Sequence, residues 1–359
     1  MAYTTKTSNK RRNRGTSHET VRLSRPKDML AQDEVRPSTG PTGFDRVSVV
    51  AAKAGDAGQR IDNFLLRIWR TMPKSRVYRL LRKGEVRVNG KRAKPEQRLE
   101  EGDRIRLPPV RVASSPDVLP PSRSLQSAIG DAILYEDDSL LVIDKPAGIA
   151  VHGGSGLKHG VIEALRAARP ELDELELVHR LDRETSGCLL IAKRRSMLRA
   201  LHAQLREREM DKRYLALVCG RWTLGTKKLE LPLKTNQKQG GERMVRVHPE
   251  GQSAESLFKV VERFGNRATL MEVRIGTGRT HQIRVHAAHA GHPVAGDDKY
   301  GDKVCNEMLK AFGLRRMFLH AHSLSFLLPA TQRTFSISAP LDAALQTVLG
   351  RLRGDVPAE

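Results

Sequence analysis

Aromatic side chains are scarce in this chain: Phe, Trp and Tyr make up 4% of its 359 residues. Its core must rest on aliphatic residues, and an aromatic beside a polar cleft stands out as a stacking surface. Acids are also in deficit, 41 Asp and Glu against 63 Lys and Arg, giving a net charge of +22. That surplus exceeds what solubility requires and suits a polyanionic partner, nucleic acid first. No apolar run approaches the roughly 20 residues of a membrane-spanning helix, and no lipidation signal is visible, so no membrane role is expected. The N-terminus lacks the apolar stretch of a secretory signal. The three cysteines, Cys188, Cys219 and Cys305, are far apart and never form a CxxC pair, which predicts neither a disulfide framework nor a zinc knuckle and fits a reducing cytoplasm. Neither GxxxxGK[ST], nor GxGxxG opening a helix, nor HExxH occurs, so nothing points to a nucleotide cofactor or a protease-type metal site.

The pattern of what is present divides the chain. Residues 1–45 carry Ser, Thr, Pro, Gly and the basic cluster Lys10, Arg11, Arg12 and Arg14, and read as a disordered basic arm. Residues 46–110 read as a small folded module. Ile61, Phe64, Leu65 and Ile68 fall at helical spacing before Pro73. A second helix, capped by Ser75 and stopped at Gly84, turns Val77, Leu80 and Leu81 inward and Arg76, Arg79, Arg82 and Lys83 outward. Val86 and Val88 then lead into an Asn89-Gly90 hairpin turn followed by Lys91 and Arg92. Ten basic residues against two acids between Lys74 and Arg98 mark this face for phosphate contact. Residues 111–128, rich in Pro and Ser, read as a linker. Residues 129–350 form the larger domain, and 351–359 a tail. Its segments, among them "LLVIDK", "GCLLIAK", "YLALVCG" and "ATLMEVRI", are short and β-like, with helical stretches such as "VIEALRAA" and "THQIRVHAAHAG" between strand pairs. This spacing predicts an α+β fold: a mainly antiparallel mixed sheet flanked by helices.

Four stretches could carry chemistry. "HRLDRETSG", His179 to Gly187, sets Asp182 between Arg180 and Arg183 in a loop between strands. A paired surface aspartate is the plain reading; an acid held ionised by its flanking guanidinium groups is the sharper one. "GTGRTHQIRVHAAHAGH" leads from a Gly-punctuated turn into a helix carrying Arg279, His281, Arg284, His286 and His289. Two arginines and no nearby carboxylate argue against a divalent cation among these histidines. "DKPAGIAVHGGSG" reads as a tight turn approaching a substrate, and Tyr214 opens the strand "YLALV".

Together "QRIDNFL", "KGEVRVNGKR", "LVIDKPAGIAVHGGSG", "HRLDRETSG", "YLALV" and "TGRTHQIRVHAAHAGHP" resemble the RluA-type pseudouridine synthases, in the arrangement of the RluC subfamily that acts on large-subunit ribosomal RNA. The likeness spans about residues 48–350. It implies an RNA-binding module named for the fourth small-subunit ribosomal protein, ahead of a catalytic domain. It implies that Asp182 is the catalytic aspartate, that Arg180 helps displace the target base and that Tyr214 stacks on it. Arg284, rather than Arg279, is expected to pair with the aspartate. His179, Arg279 and His281 are expected to touch substrate, and Arg76, Arg79, Arg82, Lys83, Lys91 and Arg92 to touch RNA. The implied reaction is an isomerisation of several uridines in or near the peptidyl-transferase region of 23S rRNA, naked or assembling. It calls for no cofactor, metal or membrane, and a monomer suffices. A non-catalytic assembly factor and a histidine-based metal-dependent nuclease are the competing classes.

Overall fold

The computed structural model describes residues 46–69, 72–110, 119–154, 159–172, 174–237 and 243–354. The basic arm of residues 1–45, the first part of the expected linker (111–118) and the last five residues lie outside them.

The small module contains β1 (Ser48–Ala51), α1 (Ile61–Ile68), α2 (Lys74–Lys83), β2 (Arg87–Val88), β3 (Lys91–Arg92) and β4 (Arg104–Leu107), with an antiparallel sheet in the order β1-β4-β2-β3. The helical spacing read from the sequence becomes its core: Ile61, Phe64 and Leu65 meet Val77, Leu80 and Leu81. Ser75 is not the cap. Pro73 holds that position and α2 starts at Lys74, since a fixed φ with no N–H suits a helix entry. Gly84 ends the helix at φ 70°, its N–H reaching the carbonyls of Leu80 and Leu81. Asn89 (φ 49°) and Gly90 (φ 79°) make the left-handed pair of a tight hairpin turn. Arg79, Arg82, Lys83, Lys91 and Arg92 are exposed, and Arg76 is half-buried.

The larger domain follows with α3 (Arg123–Asp131), β5 (Ile133–Glu136), β6 (Leu140–Lys145), α4 (Val161–Ala168), β7 (Glu176–Leu177), β8 (Ser186–Ala192), α5 (Arg195–Glu207) and β9 (Asp211–Cys219). Next come β10 (Lys227–Glu230), β11 (Leu233–Gln237), β12 (Arg243–Val247), β13 (Glu255–Phe264), β14 (Ala268–Ile275), α6 (Gln282–His289), α7 (Lys303–Lys310), β15 (Leu319–Leu327), β16 (Thr334–Ser338) and α8 (Ala343–Gly354). The main sheet runs β10-β13-β14-β9-β15-β8-β6-β5, with β16 on β15 and β7 on β8, while β11 and β12 form a separate hairpin. Among the described residues β8 and β15 pair in parallel and the other pairs are antiparallel. The α+β expectation therefore describes the fold.

β8 reads as a continuous apolar run because both its faces are covered. Leu189 and Ile191 pack on one side with α4 and α6, and Cys188 and Leu190 on the other with Met197 and Leu201 of α5. The sequence reading differs at the edges. The helix α3 begins inside the expected linker, its first turn held by Ser122, whose hydroxyl accepts from the Leu125 N–H. The last turn of α8 lies in the expected tail and buries Leu352.

Cys219 and Cys305 form a disulfide across Cα atoms 6.1 Å apart, contrary to the expectation of unpaired thiols. Folding brings the end of β9 beside α7 across a sequence separation of 86, a proximity that linear spacing does not encode. Cys188 is a buried thiol, its pKa pushed up to about 12 by desolvation.

The module is seated on α5. The Asp56 carboxylate, 4% exposed, accepts from Arg67 at 2.8 Å and from Arg195 at 2.6 Å. Arg199 reaches the carbonyls of Ala54 and Ala57 at 3.3 and 2.8 Å.

Candidate active site

Asp182 sits in the loop between β7 and β8, at the centre of the main sheet. The loop must end abruptly, because β8 pairs with β15 from its first residue, Ser186 against His320. Gly187 makes this possible: its φ is 106°, and a Cβ there would overlap the backbone of Ala321. Lys145, at the end of β6, anchors the other side. Fully buried, its ammonium donates to the carbonyls of Pro146 (2.7 Å), Ile149 (2.8 Å) and Arg183 (3.1 Å), the last adjoining Asp182. Burial pulls the Lys145 pKa down to about 7, yet three convergent carbonyls call for the three N–H groups of the charged form. The Gly148 N–H and the Arg183 carbonyl, 2.9 Å apart, complete the tie between the "DKPAG" turn and the loop.

The cation that meets Asp182 comes from α6. Arg284 Nη1 lies 3.4 Å from Asp182 Oδ2, with the two side chains 10% and 19% exposed. The guanidinium is fixed from behind by Asp297, whose side chain is wholly buried: Nε to Oδ2 is 2.7 Å and Nη2 to Oδ1 2.8 Å. Asp297 Oδ1 also accepts the N–H groups of Lys299 and Tyr300. Burial alone would raise the Asp297 pKa, but the guanidinium and these N–H groups bring it below the ordinary value. Tyr300 closes the cluster, its ring 5.0 Å from the guanidinium carbon of Arg284 and its hydroxyl 2.8 Å from His281 Nδ1. His281 stands at φ 54°, a strained conformation for a non-glycine residue, and its Nε2 is 3.9 Å from Asp182 Oδ2. A cavity of about 60 Å³ opens here, lined by Arg180, Asp182, Tyr214, Arg279, His281 and Arg284 among others.

Residues 139–289 match the RNA pseudouridylate synthase family, and residues 59–105 match the S4 domain. The chain is 56% identical over 310 residues to the ribosomal large subunit pseudouridine synthase C of Escherichia coli strain K12, spanning 86% of this chain and 97% of that protein. The chain belongs to the pseudouridine synthase family. The synthase is also 53% identical over 309 residues to the like-named protein of Pasteurella multocida, spanning 86% and 94% of the two. Its fold matches the structure of human RNA Pseudouridylate Synthase Domain Containing 4 with a TM-score of 0.54 and 26% identity, over 64% of the synthase and 96% of that chain.

Most of the residues singled out in the synthase sequence converge on this cavity; some do not. Among the described residues the guanidinium partner of Asp182 is Arg284, not the flanking arginines that were expected to hold it ionised. Arg183 is exposed, pairs with Glu184 at 3.5 Å and donates to the Gly148 carbonyl at 2.9 Å. Arg180 is exposed on the cavity wall, and among the described residues no carboxylate pairs with it. His179 is absent from the cavity lining; its Nε2 accepts the Leu190 N–H at 3.2 Å, and burial lowers its pKa to about 4, so it pins the strand as a neutral ring. Arg279 reaches the Ser253 carbonyl at 3.0 Å and is not the partner of Asp182. Tyr214, on β9 opposite Val273, is 7% exposed, and burial followed by the charge of Asp182 raises its phenol pKa. His286 is fully engaged by Ser256 Oγ and the Leu231 carbonyl, both at 3.0 Å. Asp297, Tyr300 and Lys145 are site residues that sequence reasoning missed. "GDDKYG" following the His-rich helix is the one available signal, and it does not distinguish Asp297 from Asp298.

Proposed function

We propose that this synthase isomerises specific uridines of 23S ribosomal RNA to pseudouridine, with Asp182 acting on the sugar. One observation carries the reading: a partly exposed carboxylate held by Arg284, whose other nitrogens are committed to the buried Asp297. The reaction breaks the bond from uracil N1 to C1′ and remakes it from C5, with the C5 proton given up and N1 protonated. Positive charge grows at C1′ as the bond breaks, so a fixed carboxylate stabilises the transition state. Asp182 serves either by attacking C1′ or by removing the C2′ proton. A stacked nucleotide keeps C1′ out of reach, so the uridine is flipped, at a cost of a few kcal/mol. Contact with Tyr214 offsets that cost, Arg180 fills the gap in the stack, and Arg279 and His281 hold the base in the pocket. Asp297 is committed to Arg284, so it positions no water for hydrolysis.

The resemblance read from the sequence motifs points to several target uridines, in or near the peptidyl-transferase region of naked or assembling rRNA. In this reading the synthase works as a monomer in the cytoplasm with no nucleotide or metal, and it needs no redox cofactor because the isomerisation neither adds nor removes electrons. Pseudouridine maps of large-subunit rRNA from cells with the gene, without it, and with Asp182→Ala test this. Specific uridines are expected to stay unmodified in the second and third; identical maps in all three would end the proposal.

The exposed cations of α2 and the β2–β3 hairpin form the RNA-binding face in this reading. Replacing Arg79, Arg82 and Lys83 with Gln is expected to weaken RNA binding and to flatten the plot of log affinity against log salt by about 2, roughly 0.7 for each phosphate no longer neutralised. Parallel salt plots for variant and wild type would assign the binding face elsewhere.

A further inference from the structure

Beside the Asp182 cavity lies a larger cleft of about 320 Å³, lined by β11, β12 and the turn at Glu250–Gln252. Gly278, Arg279 and Thr280 line both, so the two spaces share a wall. We propose that the cleft is a second nucleotide subsite, taking a residue that flanks the target uridine on the same RNA strand. This rests on the reading of the Asp182 cavity as the uridine site.

The cleft has the chemistry of a nucleotide site. Its apolar part is Leu233 and Val245, both 4% exposed, suited to the face of a base. Thr235 and Gln252 add a hydroxyl and an amide able to meet a base edge. Arg279 supplies positive charge for the phosphate. Lys234 is held by Glu250 at 2.6 Å, while Arg279 donates from Nε to the Ser253 carbonyl at 3.0 Å, a bond that cancels none of its charge. The volume falls at the lower end of small-ligand sites, about 300–1,000 Å³. Gly278, on the shared wall, has no left-handed φ, and a Cβ there would meet no heavy atom within 4 Å. Neither backbone conformation nor packing requires this glycine, and its lack of a side chain keeps the passage between the two spaces clear. Extruding the uridine breaks its stacking on both neighbours, and the cleft is the adjoining space placed to receive one of them.

The test uses oligoribonucleotides spanning a uridine identified by the pseudouridine maps, tritiated at C5. An abasic residue replaces each of the two positions on either side in turn, and single-turnover tritium release is measured with the full chain. For the wild type, one abasic position is expected to slow release about tenfold, the effect of removing one bound base. Thr235→Trp, which fills the cleft, and Gln252→Ala, which leaves the backbone bonds of residue 252 to Leu233 intact, are both expected to slow release from intact RNA. Neither should slow it further on that abasic RNA. A wild type indifferent to all four positions overturns the subsite, as do variant and abasic penalties that multiply at each of them. Absence of tritium release by the wild type from every RNA removes the uridine-site reading itself, and the subsite with it.

Discussion

Asp182→Asn is expected to lower the single-turnover rate of pseudouridine formation by about 10³-fold or more, with RNA affinity unchanged within a factor of about two. The amide keeps the shape of the carboxylate and can still accept from Arg284 Nη1. What it lacks is the negative charge that meets the cationic sugar, and removing a group aimed at transition-state charge costs on this scale. Stability should move by less than about 1 kcal/mol, because the 3.4 Å contact is partly exposed and Arg284 keeps its bonds to Asp297. Single-turnover kinetics with a tritiated transcript, filter binding and urea unfolding read the three quantities separately. A variant retaining a tenth of the wild-type rate would move the chemistry to another residue.

Asp297→Asn should behave in the opposite way, with a large cost in stability. It strips one partner from a buried bidentate pair and leaves the Arg284 guanidinium facing a neutral amide, a loss of about 3–5 kcal/mol. Activity should fall as well, in kcat more than in KM, because Arg284 is then free to swing toward Asp182 or away from it. The acid limb of stability supplies a second check. The Asp297 carboxyl is desolvated, yet hydrogen bonding from Arg284 brings its folded pKa below the ordinary 3.8. Such a group contributes its full stabilisation above the unfolded pKa and loses it as pH falls through the folded value. Wild type and variant should therefore differ most at neutral pH and converge below about pH 3.8. A gap that stays constant on acidification would mean that the Asp297 charge is not what holds Arg284.

Sequence legibility tracked the range of the interaction. Local signals read well: Gly84 at a helix end, Asn89-Gly90 in a hairpin, Gly187 where β8 must start beside β15. Asp182 stood out because a short motif fixes both its loop and the strand after it. The cation opposite it lies 102 residues away, and choosing Arg284 over Arg279 took a resemblance, since both stand in one motif. Asp297 was invisible for a sharper reason. Its role depends on being sealed behind Arg284, and burial of a single aspartate in a turn leaves no periodicity to read. Lys145 was invisible in the same way: a lysine closing an apolar strand carries no sign in the sequence that three carbonyls enclose it. The disulfide between Cys219 and Cys305 likewise depends on packing between distant segments.

The seating of the small module on α5 turns the protein into a caliper. One jaw is the cationic face of α2 and its hairpin, the other the pocket around Asp182, and Asp56 with the Ala54 and Ala57 carbonyls locks the gap between them. In the proposed function, the uridines chosen among many chemically identical ones are those that RNA folding sets one jaw-width from the stretch of backbone gripped by the cationic face.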